Sequence, residues 1–252
     1  MTQDLKRRYD RQKDLIPADI MAKCRALVIG VGAIGRQVAL QLAAIGMPYV
    51  SLYDFDTVEV ENLAPQGFRP DQLGMTKVAA TGFDVKSINE EVDVRGNEEQ
   101  FTAKSVLTLM KSRTDKQTVV FCCVDSIETR GDLFDMLRDK SDLFIDARMS
   151  AETIRVLGIE DPSYDRYYKK TIFTSAEAHQ GSCTAKSTIY TANIAAGLMI
   201  SQFTKWLRGM PTDRDVLLNL LSMDLVTEGL QNDAATSAEP ELEAAVPETQ
   251  LA

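Results

Sequence analysis

The chain reads as an α/β protein built on a doubly wound, mostly parallel sheet, and three observations predict this. Residues 26–29 (ALVI) form an apolar, strand-length run that hands over to Gly30-Val31-Gly32-Ala33-Ile34-Gly35, with a helical pattern following through residues 37–46. That is a G-x-G-x-x-G loop in the strand–turn–helix setting that gives the fingerprint its meaning. Residues 118–124 (TVVFCCV) are continuously apolar, as a strand covered on both faces requires. Up to residue 146, strand-length and helix-length segments alternate, the order that builds a parallel sheet.

Taken in order, residues 4–24 suggest a helical approach segment broken by Pro17, and residues 26–30 the first strand. Gly46-Met47-Pro48 ends the first long helix, and residues 49–53 form the second strand, closing at Asp54. Residues 56–71 contain Pro65, Gly67 and Pro70 and read as a loop. A helix over residues 74–88 places Val78, Ala79, Gly82 and Val85 inward, followed by a short strand at 92–94 and a helix at 103–111. Asp125 ends the apolar strand, residues 126–140 alternate as a helix, and residues 143–146 are the next strand. Beyond residue 150 the pattern changes: 153–159 is strand-like, 161–181 is polar and tyrosine-rich without periodicity, and 187–207 is a long Ala-rich helix expected to be buried. A last strand is expected at 216–220. Residues 1–231 read as one domain, and 232–252, poor in aromatics and rich in Pro, Ala and Glu, as a disordered acidic tail.

Composition bounds the function. With 252 residues and 44% hydrophobic content, a sizeable core is expected. The net charge of −9 argues against nucleic acid as a partner. No apolar run approaches the roughly 20 residues needed to cross a bilayer, and the opening residues lack a signal peptide's apolar centre. Four cysteines, Cys24, Cys122, Cys123 and Cys183, show no C-x-x-C pairing, which predicts a reducing, cytoplasmic setting and no zinc.

The glycine loop lets a backbone approach phosphates and aims helix N–H groups at an anion. Asp54 lies 54 − 30 = 24 residues past the first glycine, near the interval of a ribose-binding carboxylate. The fingerprint alone suits NAD as well as ATP. The residues around it narrow the choice. Arg8-Tyr9-Asp10-Arg11-Gln12, then GVGAIG, DFDTVEVENLAPQ, GMTK and CCVDS, together resemble the adenylation fold of ThiF, MoeB and the ubiquitin-activating enzymes over residues 8–210.

That resemblance implies a Rossmann-like fold with a crossover region, and ATP with magnesium as cofactors. Gly30, Gly32, Ala33, Ile34 and Gly35 would cradle ATP, and Asp54 would hold the ribose. Asn62, with Gln66 beside it, would contact the phosphates, and Lys77 would neutralise them. Asp125 would hold Mg2+, a hard cation suited to oxygen ligands, and Asp56 could assist. Arg11 would cross a homodimer interface to the partner's phosphates. The substrate implied is the C-terminal carboxylate of a small ubiquitin-like or sulfur-carrier protein with a Gly-Gly-type end. Its product would pass to a conjugating enzyme or to a sulfur donor.

One departure stands out. The family pattern Asn-Leu-x-Arg-Gln is here Asn62-Leu63-Ala64-Pro65-Gln66. Either Arg69 reaches back to replace the missing guanidinium, or the enzyme is weak, or it is an inactive partner subunit. Cys183, in GSCTAK ahead of the long helix and beside Lys186, is the candidate thioester-forming nucleophile, because a nearby cation favours the thiolate. A small packing cysteine is the alternative. Cys122 and Cys123 read as inert core thiols, and His179, the single histidine, as a polar loop residue. Arg148 could line the entry of the substrate's tail.

Overall fold

The computed structural model describes residues 7–111, 115–172 and 187–228. Eight strands form one sheet in the order β3-β2-β1-β4-β5-β6-β7-β8. β1 (Cys24–Ile29), β2 (Tyr49–Tyr53), β3 (Asp93–Asn97), β4 (Gln117–Cys122) and β5 (Leu143–Ser150) run parallel. β6 (Thr153–Ile159), β7 (Asp215–Asn219) and β8 (Asp224–Glu228) extend the sheet antiparallel.

Alternation along the parallel strands supplies both cores. In β1, Ala26 and Val28 face one layer, while Leu27 and Ile29 face the other. The first layer is filled by α2 (Ala33–Ile45), α4 (Lys77–Ile88) and α8 (Ile189–Leu207). In α8, Ala192, Ala195 and Ala196 are fully buried, and these short side chains let it lie close on both α2 and β5. The opposite layer holds α5 (Ala103–Lys111), α6 (Ile127–Leu137) and α7 (Asp165–Lys170). There Phe134, Phe144 and Tyr168 meet ring to ring, with centroids 4.3 to 5.8 Å apart. Helices on both faces are what the uninterrupted apolar run of β4 requires.

Several elements differ from expectation. Residues 7–16 form turns, and the approach helix shrinks to α1 (Ala18–Met21), one turn after Pro17. The segment expected to be a loop contains α3 (Val60–Gln66), which tolerates Pro65 inside it. In α4 the inward positions include Lys77, Thr81 and Asp84, whereas Ala79 is exposed. Lys77 and Asp84 are buried because charged partners meet them there, Asp56 for the first and Arg36 and Arg69 for the second. The long helix α8 buries one face only, leaving Tyr190 and Ile194 exposed. A final strand, β8, was not expected: all five of its residues are exposed, so no burial pattern marks it. The acidic tail lies outside the described residues.

Candidate active site

The carboxyl ends of β1, β2 and β4 lie abreast, with Ile29 paired to both Tyr53 and Cys122. β2 and β4 lie on either side of β1, where successive crossovers depart in opposite directions, the crevice in which open α/β sheets bind ligands. The glycine loop fills this rim. Gly30 donates its N–H to Tyr53 at 2.9 Å, and Cys123 donates to Ile29 at 2.8 Å.

Each glycine has its own reason. Gly30 adopts φ +85°, and a Cβ there would stand 2.7 Å from the Cys123 carbonyl oxygen. A Cβ on Gly35 would overlap the Gly30 carbonyl, so helix and turn can touch only without a side chain. Gly32 is different: the nearest atom to its Cβ position is Gln66 Oε1 at 4.0 Å. That leaves space beside the α2 N-terminus, where free N–H groups favour an anion. Ala33 and Ile34 open α2 beyond it.

Asp54 continues from β2 and folds back on this loop. Its Oδ2 accepts from Val31 N at 2.6 Å and its Oδ1 from Asp56 N at 2.8 Å. Each oxygen keeps a lone pair for a hydroxyl donor. Lys77 starts α4 and is buried, with Nζ 2.7 Å from Asp56 Oδ2. Asn62 uses Oδ1 to accept the Glu59 N–H at 2.9 Å, capping α3, so its amide N–H2 is the group left for a phosphate. Gln66 has its backbone carbonyl held by Gln37 Nε2 at 3.0 Å. Its side-chain Oε1 is buried without a partner, facing Gly32; rotating the amide would present its N–H2 there instead.

Asp125 is exposed on the turn between β4 and α6, next to the Ser126 N-cap. That turn is fixed from below by Arg130, which donates to the Val124 carbonyl and pairs with Asp146. Asp146, fully buried, also accepts from Arg148 Nε at 2.8 Å and Tyr168 OH at 3.1 Å. No cage of three or more His, Cys, Asp or Glu exists among the described residues. An exposed single carboxylate at this rim suits Mg2+, which binds through one or two carboxylates together with phosphates of a substrate.

Other candidates lie elsewhere or are committed. Arg11 is exposed and remote from its own glycine loop. Tyr9 sits against Gly46 and accepts from Asn89 at 2.8 Å, and Gln12 donates to the Ile45 carbonyl at 2.8 Å. This segment is therefore docked at the far end of the 13-residue α2, about 20 Å away at 1.5 Å per residue. Arg69 is turned to Asp84 and Asp71, which hold it, and not to the glycine-loop rim. Arg148 is spent on Asp146 and on Thr171, whose carbonyl and hydroxyl accept at 2.7 and 2.9 Å. Burial pushes the Cys24 thiol up to about 11 and raises Cys122 and Cys123 as well, which disfavours the thiolate at each. Cys183 and His179 lie outside the described residues.

Arg36, Arg130 and Asp146 were not singled out from the sequence. A signal existed for Arg130: it falls in register with Leu133, Phe134 and Leu137, the buried stripe of α6. A charge on an apolar stripe needs a buried partner.

Comparison with known proteins agrees with this architecture. The chain is 34% identical over 112 residues to ubiquitin-like modifier-activating enzyme 5 of Oryza sativa subsp. japonica, covering 41% of this chain and 27% of the relative. It is 33% identical over 131 residues to adenylyltransferase and sulfurtransferase MOCS3 of Dictyostelium discoideum, covering 49% and 29%. The chain thus spans under a third of the length of these relatives. Among solved structures, PaaA superposes with a TM-score of 0.70 at 20% identity over 91% of this chain and 74% of PaaA. E. coli MccB with ATP gives 0.63 at 18% identity over 88% and 71%. The ThiF family model matches residues 9–244, and the chain belongs to the ThiF family.

Proposed function

We propose that this protein is an ATP-dependent adenylyltransferase acting on the C-terminal carboxylate of a small ubiquitin-like or sulfur-carrier protein. The observation that carries the reading is the shared rim of β1, β2 and β4, where the open position at Gly32, the Asp54 carboxylate and the Asp125 turn stand together. Lys77, reaching the same segment through Asp56, adds the cation such a polyphosphate site needs. The relatives' printed names, an activating enzyme for a ubiquitin-like modifier and an adenylyltransferase, support it.

In the reaction, a carboxylate oxygen forms a bond to the α-phosphorus of ATP, and the bond to the β-phosphate bridge oxygen breaks. The products are an acyl-adenylate and pyrophosphate. No general base is required because the nucleophile is already ionised. Positioning and charge neutralisation do the work. The loop from Gly30 to Gly35 holds the phosphates, Asp54 the ribose, and Asn62, Gln66 and Lys77 the phosphate oxygens. Asp125 would hold Mg2+, which would supply further charge neutralisation when bound. Arg11, remote from its own loop, serves the site of a second copy in a homodimer. Cys183 then attacks the adenylate carbonyl as thiolate, releasing AMP and forming a thioester for a conjugating partner. An unbranched Gly-Gly end on the carrier suits a narrow entry, and the reduced thiols suit a cytoplasmic setting.

Pro65 and the committed Arg69 favour one competing reading, a nucleotide-binding subunit with little turnover of its own. Intact-mass analysis without reductant, after incubation with Mg-ATP and the small proteins of the host, separates the cases. A thiol-labile mass gain in wild type but not in Cys183→Ala establishes the full proposal. Pyrophosphate release without a gain leaves adenylation with direct hand-over. Neither product leaves the non-catalytic subunit.

A further inference from the structure

One buried guanidinium touches all three elements that carry the candidate phosphate residues. Arg36 stands in the first turns of α2, just beyond the glycine loop, and is only 6% exposed. Its Nη2 lies 2.7 Å from Asp84 Oδ2 on α4, the helix that begins with Lys77. Its Nη1 reaches the Gln66 carbonyl at 3.5 Å, at the end of the helix bearing Asn62 and Gln66. The guanidinium also lies 4.9 Å from the centre of the Phe68 ring.

The helix most in need of such a tie is α3. It has seven residues and fully buries none of them; its apolar anchor is Leu63, partly buried against Val58, Phe68 and Ala80. Pro65 inside it lacks an N–H and withdraws one helical hydrogen bond. The position of α3 therefore depends on outside contacts, and its last carbonyls are the groups that helices leave unpaired. Arg36 and Gln37 both donate to the Gln66 carbonyl, and a cation there also complements the helix dipole.

The remainder of the cluster holds the guanidinium itself. Asp84 accepts from Arg36, from Arg69 and from Gln72 Nε2 at 3.0 Å. Arg69 also pairs with Asp71, so two cations meet two carboxylates and the cluster is charge-balanced, with Asp84 as the carboxylate that ties both guanidinium groups. Arg36 Nε is buried without a partner, an arrangement that costs stability and that simple core packing would avoid.

We propose that Arg36 is a positioning residue for the nucleotide: it sets α3 and α4 against the glycine loop so that Asn62, Gln66 and Lys77 meet the outer phosphates together. The inference rests on the ATP-site reading above. It assigns to Arg36 a task made necessary by Pro65, acting through neighbouring helices and without touching the ligand.

The test is the affinity of the full chain for Mg-ATP and for AMP, measured by calorimetry on wild type, Arg36→Met, Arg36→Lys and Asp84→Asn, with melting temperatures taken in parallel. AMP lacks the outer phosphates. The expected result is a loss of about tenfold or more in Mg-ATP affinity for R36M, with AMP affinity held within about twofold. R36K should fall between, because one ammonium cannot fork to Asp84 and the Gln66 carbonyl together. D84N should reproduce the selective loss, and it and R36K carry the test if R36M does not fold. Parallel losses of ATP and AMP, or unchanged ATP affinity in the folded variants, would overturn the proposal. Wild type that binds neither nucleotide would overturn the ATP-site reading itself.

Discussion

Lys77 Nζ stands 2.7 Å from Asp56 Oδ2, joining a buried ammonium to a half-exposed carboxylate across the loop that follows β2. A phosphate arriving at the rim would compete with Asp56 for that ammonium, so the pair holds the lysine ready without consuming it. Lys77→Ala is expected to lower kcat/KM for ATP–pyrophosphate exchange by roughly 10²-fold, the scale of losing one preorganised charge at a transition state. Asp56→Asn should cost about tenfold at most, because the lysine remains. Equal losses in exchange assays of the two variants would remove this assignment.

Gly32 and Gly35 separate binding from folding. Gly32→Ala meets nothing closer than Gln66 Oε1, so its melting temperature should stay near wild type while Mg-ATP affinity drops. Gly35→Ala drives a methyl into the Gly30 carbonyl and should destabilise the fold by about 1–3 kcal/mol or more. Denaturant titration beside nucleotide titration checks the contrast. A G32A protein that binds ATP normally would exclude the open position as the phosphate cradle.

Asp125→Ala and Ser126→Ala should behave oppositely. Asp125 is exposed, so its removal should leave the unfolding midpoint alone and abolish magnesium-dependent turnover. Ser126 Oγ accepts from Thr129 N at 3.1 Å as the α6 N-cap. Its loss should cost about 1 kcal/mol of stability with only a small effect on rate.

Asp84 makes stability depend on acid pH. Burial by itself would raise its pKa, but hydrogen bonds from Gln72 and Arg69 and the Arg36 charge prevail and hold the carboxyl below its ordinary value. A carboxyl with a depressed folded-state pKa stabilises the protein above its unfolded pKa of about 4, and that contribution fades as pH falls through the lower folded value. The stability gap between wild type and D84N should therefore be full at neutral pH and shrink below about pH 4. Denaturant midpoints across pH 2.5 to 7 measure it, and a gap independent of pH would contradict the cluster.

Asp146 is a fully buried carboxylate serving Arg130, Arg148 and Tyr168. Asp146→Asn leaves the buried Arg130 and the part-buried Arg148 without their counter-charge and is expected to cost about 3–5 kcal/mol. Loss of far less than that in a two-state unfolding experiment would mean the arginines find other acceptors.

Much of this molecule was legible in residue order. The turn at Gly30–Gly35, the second strand to the residue, the helix at Ala103–Lys111 and the covered run of β4 all follow from local pattern, because apolar periodicity and glycine placement are local properties. The family resemblance rested on the same short motifs. α3 was missed because Pro65, Gly67 and Pro70 outweigh a seven-residue helix with no fully buried residue. β8 was missed because an exposed edge strand carries no burial pattern.

What the residue order determined by itself was the strand–turn–helix placement of the glycine loop and the alternation that forces a parallel sheet. Only the tertiary structure decided where the charges go. Arg36 and Asp84 are 48 residues apart and Arg130 and Asp146 are 16 apart, so neither pairing is visible in any local window. Arg69, free to serve the phosphates on paper, is bound to Asp84 once α4 lies beside it. A buried charge takes the partner that packing delivers, because leaving it unpaired costs more than any local preference can repay.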